Sequence, residues 1–585
     1  MSRERLGHPR LVPALIVTLA LVPTGCDWNE LPRADIDFPE NWTYADRVNP
    51  VRAPSAMIST VDAYATKVGL SVLEDGGNAV DAAIAISFSL AVVNPEAGNI
   101  GGGGFMVIRL ASGDVSTLDY RERAPKAASR DMYLDEQGEV TEASVRGHLA
   151  AGVPGSVMGL WEAHKRFGSL DWARLVRPAV ELAKGFEVGK QLESSLRGAR
   201  RSLEVFDATR SAFLPGGKPP AEGETFRQLD LARTLSRVRD NGVDGFYGGL
   251  TADLIVEEMR RGGGLIVLED LAAYSAVWRD PVSFQYRGYT LHSMPPPSSG
   301  GATMALMAHI IEGYDVAELG WHSTQMIHLL AESWKRAYSD RNQVLADPDY
   351  VDIPLSQMIS REYGRDRSAD ISLTAATPSA DVGPGLVVSE GSETTHFSVV
   401  DEAGNAVAVT TTLNSLYGSK VTVEGAGFLL NNEMDDFAAK PGFPNQFGLV
   451  QGEQNAIEPG KRMLSAMTPT VVENPAGELF LVLGTPGGGT IITTVFQTFV
   501  NIVDFGMSVT QAVNAPRIHH QHLPDRIMYE RGGLTDGVAD SLRALGHAIG
   551  ERRGTSGDVQ AIMVLADGTL VGYADPRRGG LSAGY

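Results

Sequence analysis

Cysteine is almost missing from this chain: one, Cys26, in 585 residues. That excludes disulfides within the chain, and its place near the start excludes cysteine catalysis and cysteine-ligated metal in the body of the protein. Positive charge is also short. Fifty Lys and Arg stand against 71 Asp and Glu, a net charge of −21, which argues against nucleic acid or an anionic membrane surface as partner. After the N-terminal stretch, no segment reaches the roughly 18 uninterrupted apolar residues of a membrane span. The run Gly98-Asn99-Ile100-Gly101-Gly102-Gly103-Gly104 lacks the Gly-Lys-Ser/Thr ending of a phosphate loop and the spaced glycines of a dinucleotide fold. It reads as a strand entry where backbone lies close to backbone. His519-His520-Gln521-His522 lacks the His-Glu-x-x-His pattern of a zinc helix, so no metal site is expected there.

What is present begins with an export signal. Arg3, Arg5 and Arg10 precede an apolar stretch at 11–22, and Thr24-Gly25-Cys26 follows. Residues 1–26 therefore read as a signal peptide. Cys26 makes it similar to a bacterial lipoprotein signal, with Cys26 as the lipid attachment point; a plain cleaved signal or a single N-terminal anchor is the alternative. Residues 27–50 show no period and read as a tether. The expected place is the periplasm or a membrane-anchored position outside the cytoplasm.

The body of the chain alternates helical and extended patterns. A helix capped by Ser59 or Thr60 is expected to run to Glu74. A second starts at Asn78 and is apolar nearly all round, hence buried. Strands are expected at 105–110 and 115–120, the latter leading into Arg121. Helical spacing at 323–338 marks core contacts. Residues 370–392, rich in Ser, Ala, Thr, Pro and Gly, read as a mobile linker. After it the texture changes to a hairpin, 395–400 and 406–413 around a turn at 401–405. Further strands at 427–430, 479–484, 560–565 and 569–574, with a helix at 491–505, fit sheets covered by helices on their outer faces.

The sharpest local feature is Glu393-Thr394-Thr395-His396-Phe397-Ser398, at the junction of linker and hairpin. A threonine hydroxyl needs a base. Breaking the Glu393–Thr394 bond would give Thr394 its own α-amino group, with a reference pKa of about 7.7–8.0, as that base. Two threonines opening a strand are by themselves ordinary strand residues. His396 points to the opposite face from Thr395 and reads as structural.

Several stretches together resemble the γ-glutamyltransferase (glutathione hydrolase) family of N-terminal nucleophile hydrolases. They include Asp81-Ala82-Ala83, Arg121-Glu122-Arg123-Ala124-Pro125, Thr394-Thr395-His396-Phe397-Ser398, Leu430-Asn431-Asn432-Glu433-Met434-Asp435-Asp436-Phe437, Leu464-Ser465-Ala466-Met467-Thr468, Pro486-Gly487-Gly488 and Ser582-Ala583-Gly584-Tyr585. They span 52–585 in order. The resemblance implies an α/β fold, a four-layer αββα sandwich, built by a large subunit (51–393) and a small catalytic subunit (394–585) after self-cleavage at Glu393–Thr394. It implies a heterodimer of these two parts and no cofactor. Its substrates would be glutathione or other γ-glutamyl compounds, with water, amino acids or peptides as acceptors. Thr394 matches the nucleophile, Thr412 its hydroxyl partner, and Gly487 and Gly488 the oxyanion donors. Arg121 and Ser465 match groups that hold the substrate carboxylate; Glu433, Asp436 and Asn414 match groups at its ammonium. Asp435, beside that pair, reads as a solvated turn residue. Residues 441–460 resemble a lid with Phe447 near its tip. Where the family usually has two adjacent serines, this chain has Ser465-Ala466. That keeps a second reading open, an acylase of glutaryl or γ-polyglutamate type. A third is an uncleaved binding protein.

Overall fold

The computed structural model describes residues 35–45, 47, 49–382 and 394–585. The signal at 1–26 with Cys26, and Glu393 at the cleavage point, lie outside the described residues.

Two seven-stranded antiparallel sheets form the centre. The first runs in the order Leu581–Gly584, Met57–Thr60, Thr395–Val400, Ala406–Thr412, Gly103–Arg109, Val115–Tyr120 and Val277–Arg279. The second runs Val51–Ala53, Leu570–Ala574, Gln560–Val564, Leu479–Gly484, Thr470–Glu473, Tyr289–Ser293 and Val282–Tyr286. The sheets face each other, with helices Ala63–Glu74 and Ala79–Val93 outside the first and Gly300–Ile311 and Thr490–Val503 outside the second. This is the four-layer αββα sandwich.

Alternation along the hairpin explains the layering. Phe397, Val399, Val407 and Val409 point to the outer helices and join their apolar core. His396 and Ser398 point between the sheets, where Ser398 Oγ donates to the Gln560 carbonyl at 3.0 Å. Every residue of Ala79–Val93 is buried, as its all-round apolar pattern requires. Asn78 caps this helix by accepting from Val80 N and Asp81 N, and Asp81 returns the contact.

Four expectations change. The first helix is capped by Asp62, whose Oδ1 accepts from Tyr64 N at 2.7 Å, while Ser59 and Thr60 are strand residues paired with Thr395–Val400. Residues 427–430 make only an isolated bridge, Thr422 to Leu429, because Gly427 turns at φ +80° against the backbone of Leu231. The supposed tether is docked over its described part. Phe38 packs edge-on against Trp321, Trp42 Nε1 donates to the Asn514 carbonyl at 2.7 Å, and Tyr44 lies under the Arg577 guanidinium. Three aromatic rings bury too much apolar surface to stay in water. The linker at 370–392 is also held over its described part. Thr377 N donates to Glu332, its carbonyl accepts from Lys335 Nζ, and Ser379 N donates to Asp525 Oδ2 at 2.8 Å.

Candidate active site

Antiparallel pairing brings the chemistry-bearing residues to one end of both sheets. The register Thr395 to Thr411 places Thr394 opposite Thr412. Gly103 pairs with Thr412, and Gly104 with Tyr120, the residue before Arg121. In the second sheet, Gly484 pairs with Gln560 and Thr470 with both Leu483 and Ser293, so Ser465 and Pro486-Gly487-Gly488 leave from that same end. The glycine run makes the approach possible. A Cβ on Gly102 would lie 2.1 Å from the Thr412 carbonyl, and one on Gly101 2.1 Å from that of Leu429.

Thr394 is buried, with Oγ1 3.4 Å from Thr412 Oγ1. Thr412 Oγ1 accepts from Asn414 N at 2.8 Å. Asn414 adopts φ +75° and donates through Nδ2 to the Asn432 carbonyl at 2.9 Å. Thr394 and Thr412 share one small cavity, of about 20 Å³, with Arg121, Arg341, Asn414, Glu433, Asp436, Phe447, Ser465, Ala466 and Gly488. That space suits a water molecule or so.

Arg121 organises the charge. Its Nη2 lies 2.5 Å from Asp436 Oδ2, and its Nη1 lies 2.8 Å from Glu433 Oε2, a charge contact off the line of a hydrogen bond. Glu122 Oε2 is 3.5 Å from Nη1, and among the described residues it has no hydrogen bond to another residue. Three buried carboxyls therefore surround one cation. Burial raises Glu433 well above the usual carboxylate range, with Arg121 pulling the other way, and pushes Glu122 up to about 8. The cluster keeps at least one proton at neutral pH, since three carboxylates cannot all ionise beside one guanidinium without water. Asn431 fixes the acidic turn. Its Oδ1 accepts from Glu433 N at 3.0 Å and its Nδ2 donates to the Gly101 carbonyl at 2.9 Å.

On the other wall, Gly488 has φ +53° and precedes Gly489, the N-cap of helix Thr490–Val503. Among the described residues neither Gly487 N nor Gly488 N is spent on a hydrogen bond. Free N–H groups at a helix N-terminus favour developing negative charge. Gly487 itself does not line the cavity; its φ of +145° lets the chain pass Thr490 Oγ1, which a Cβ would approach to 2.5 Å. Ser465 Oγ accepts from Met467 N at 3.1 Å.

Phe447, expected near the tip of a lid, is buried in the cavity wall. Asp435, read as solvated, is buried instead. Its carboxylate accepts from Ser144 Oγ at 2.9 Å and Gln446 N at 3.2 Å, so it ties the lid down. Burial pushes it up to about 6.

The family described as Gamma-glutamyltranspeptidase matches residues 65–585. The chain belongs to the gamma-glutamyltranspeptidase family. It is 45% identical over 545 residues to the glutathione hydrolase proenzyme of Escherichia coli K12, covering 92% of this chain and 93% of that one. It is 48% identical over 528 residues to the glutathione hydrolase proenzyme of Pseudomonas aeruginosa, covering 89% and 93%. The crystal structure of cephalosporin acylase from Bacillus halodurans superposes with a TM-score of 0.82 at 26% identity, covering 94% of this chain and 99% of that one.

Within this gamma-glutamyltranspeptidase-family fold the histidines serve structure. His396 Nδ1 pairs with Thr410 Oγ1 at 2.8 Å, and burial lowers it to about 3. His519, His520 and His522 have separate partners in Thr493, Asp525 and the Ser379 carbonyl. His328, Glu332 and His547 bring three ligand-type atoms within 4.8 Å. However, His328 Nδ1 bonds His547 Nε2 at 2.7 Å, and Glu332 is paired with Lys335 and Arg336, two cations where a metal would need none. Sequence reasoning missed Arg341 in the cavity wall. Its only signal was a basic residue late in a buried helix, which spacing alone cannot assign to a site.

Proposed function

We propose that this protein is a self-processing γ-glutamyltransferase and glutathione hydrolase. The observation that carries the reading is the shared cavity: Thr394 and Thr412 at one wall, Arg121 with Glu433 and Asp436 at another, and Gly488 at a third. In the first reaction Thr394 Oγ1 attacks the carbonyl carbon of residue 393. The C–N bond breaks, the hydroxyl proton ends on the Thr394 amine, and water hydrolyses the resulting ester. Residues 51–393 and 394–585 then form the two subunits of a heterodimer. In the second, the new amine takes the hydroxyl proton as Thr394 attacks the γ-carbonyl of glutathione or a related compound. The oxyanion is met by the N–H groups of Gly487 and Gly488. The amine leaves with that proton, and water or the amine of an amino acid or peptide takes the acyl group.

Arg121 and Ser465 serve the head-group carboxylate; Glu433, Asp436 and Asn414 serve its ammonium. The relatives named as glutathione hydrolase proenzymes support both the reaction and the processing. The signal at 1–26 supports export, with Cys26 as a lipid attachment point and membrane tether. A second reading, a glutaryl-type acylase, is favoured by Ala466 in the cavity wall and by the likeness to the cephalosporin acylase. Two buried carboxyls weigh against it, since a glutaryl group brings no ammonium to meet them.

Denaturing electrophoresis with N-terminal sequencing of the smaller fragment tests the first step. Release rates from γ-glutamyl and glutaryl 4-nitroanilide test the second. A single uncut band, or faster release from the glutaryl compound, would refute the reading.

A further inference from the structure

Arg341 sits on helix Thr324–Val344, fully buried, with its side chain in the same cavity wall as Thr394 and Asp436. Its Nε donates to Ser299 Oγ at 2.9 Å and its Nη1 to Asn342 Oδ1 at 2.8 Å. Its Nη2 has no partner. Among the described residues no carboxylate lies within ion-pair distance of it; Asp436 acts on its charge only from farther off. Burial lowers its pKa to about 10, which leaves it charged at neutral pH. A buried guanidinium with a spare N–H and no counter-ion is costly to keep.

The other guanidinium of the cavity is held among protein partners. Arg121 Nε donates to the Met463 carbonyl at 3.3 Å, Nη1 meets Glu433 and Nη2 meets Asp436. Arg341 Nη2 therefore adds an unspent donor to the wall. Ser465 keeps its own hydroxyl proton free, because its oxygen is the acceptor for Met467 N. Ala466, next to it in the wall, offers no donor at all.

Building on the γ-glutamyl reading, we infer that Arg341 is a specificity-determining residue that donates its Nη2–H to the α-carboxylate of the γ-glutamyl head group. It works beside Ser465 and supplies the donor that Ala466 lacks. The carboxylate in turn gives Arg341 the counter-ion that the protein does not. Arg121 keeps its proposed contact to the same carboxylate, and Glu433 and Asp436 remain for the ammonium.

The test uses the processed two-subunit protein with Arg341→Met and Arg341→Lys. Each is assayed on γ-glutamyl 4-nitroanilide and on 4-aminobutyryl 4-nitroanilide, which keeps the amine and lacks the carboxylate. With Arg341→Met, kcat/KM on the γ-glutamyl compound should fall about 10- to 100-fold, mostly through KM, as for loss of one charged hydrogen bond. The preference for γ-glutamyl over 4-aminobutyryl should fall by the same factor, and Arg341→Lys should lie between. An equal fall on both substrates marks a structural residue and overturns the inference. Should Arg341→Met fail to self-cleave, the Lys variant reads the same ratio. Titration with L-glutamate and with 4-aminobutyrate reads carboxylate binding without turnover. Glutamate binding weakened by the variants, in a wild type that does not cleave γ-glutamyl anilide, would sink the proposed reaction and keep the role of Arg341. Glutamate binding left unchanged by the variants would sink that role.

Discussion

Thr394 Oγ1 stands 3.4 Å from Thr412 Oγ1, and the second hydroxyl is itself aimed by the backbone N–H of Asn414 at 2.8 Å. The pairing follows from the hairpin register, which sets the two threonines directly opposite. Thr412 Oγ1 thus accepts from both Asn414 N and Thr394 Oγ1, which fixes the orientation of the Thr394 hydroxyl. Thr412→Val keeps the shape and removes this oxygen. Self-cleavage should slow by about 100-fold, in the range of a lost proton-handling group, whereas Thr412→Ser should cleave near the wild-type rate. The ratio of full-length to 394–585 fragment over time on a denaturing gel reads both. A Val variant cut at the wild-type rate would remove Thr412 from the mechanism.

Arg121 carries a structural load as well as the proposed binding role. Glu122, Glu433 and Asp436 are buried around it, and their remaining neighbours do not replace its charge. Arg121→Gln would leave buried carboxyls without their cation, which costs about 3–5 kcal/mol where one partner of a buried pair is removed. The melting temperature should drop by several degrees and γ-glutamyl release should vanish. Arg121→Lys, which keeps the charge but not the fork, should recover much of the stability and little of the activity. Calorimetry alongside the anilide assay separates the two losses.

The close approach at the glycine run is equally testable. In Gly102→Ala the new methyl would meet the Thr412 carbonyl at 2.1 Å and the Asn99 side chain at 2.8 Å. Backbone on one side cannot yield as a side-chain tip would, so the strand end bearing Thr412 must shift. Slower self-cleavage is expected together with lower stability. Gly189→Ala serves as the control, because like Gly102 it has no positive φ, but it has open space around it. Equal behaviour of the two variants would mean that the contact with Thr412 is not what matters.

Much of this was legible in the letters, for identifiable reasons. The Thr395 hairpin alternates cleanly because one face meets helices and the other meets the second sheet. The helix from Asn78 is apolar all round because it is enclosed all round. The Asp62 cap was misplaced because Ser59 and Thr60 are equally good caps by type, and only pairing with Thr395–Val400 makes them strand. Asp435 looked solvated since two acids in a row usually are; its burial depends on Ser144, 291 residues earlier, and on the lid. Arg341 was invisible for the same reason. Its partner Ser299 and the cavity it borders come from separate parts of the chain, and no local spacing joins them.

The lid contact gives a further expectation. The cavity is small, about 20 Å³, and Phe447 forms part of its wall, so a displacement of the segment that carries Phe447 would widen it. Asp435 accepts from Gln446 N at 3.2 Å, and Asn445 Nδ2 donates to Asp436 Oδ1 at 3.2 Å. Asp435→Ala frees one of these ties. Hydrogen exchange across 441–450 should speed up, and release of 4-nitroaniline should lose its dependence on lid opening while protection against water falls. The ratio of hydrolysis to transfer, measured with glycylglycine present, should therefore rise. Unchanged exchange would show that the carboxylate does not hold the lid.

The buried histidines set an acid limit on stability, and His396 offers the cleanest test. Burial lowers its folded-state pKa to about 3, against about 6.5 unfolded. Above pH 6.5 both states hold it neutral and its contribution is complete. As the pH falls below 6.5 the unfolded chain takes up the proton first, so stability is lost progressively down to the folded value. At pH 5 the loss amounts to roughly 2 kcal/mol for one such group. Glu122, raised to about 8, and Asp558, raised to about 7, act in the opposite sense: their folded forms bind protons more readily, so they lose stability as the pH rises. The wild-type slope is a difference of these effects and is not diagnostic alone. His396→Gln can still bond Thr410 or Ser398 but does not titrate. The variant should be less stable than wild type at pH 7.5, yet the gap should narrow by roughly 2 kcal/mol at pH 5. Urea denaturation at the two pH values measures both gaps, and a gap that stays constant would mean that His396 does not titrate differently on folding.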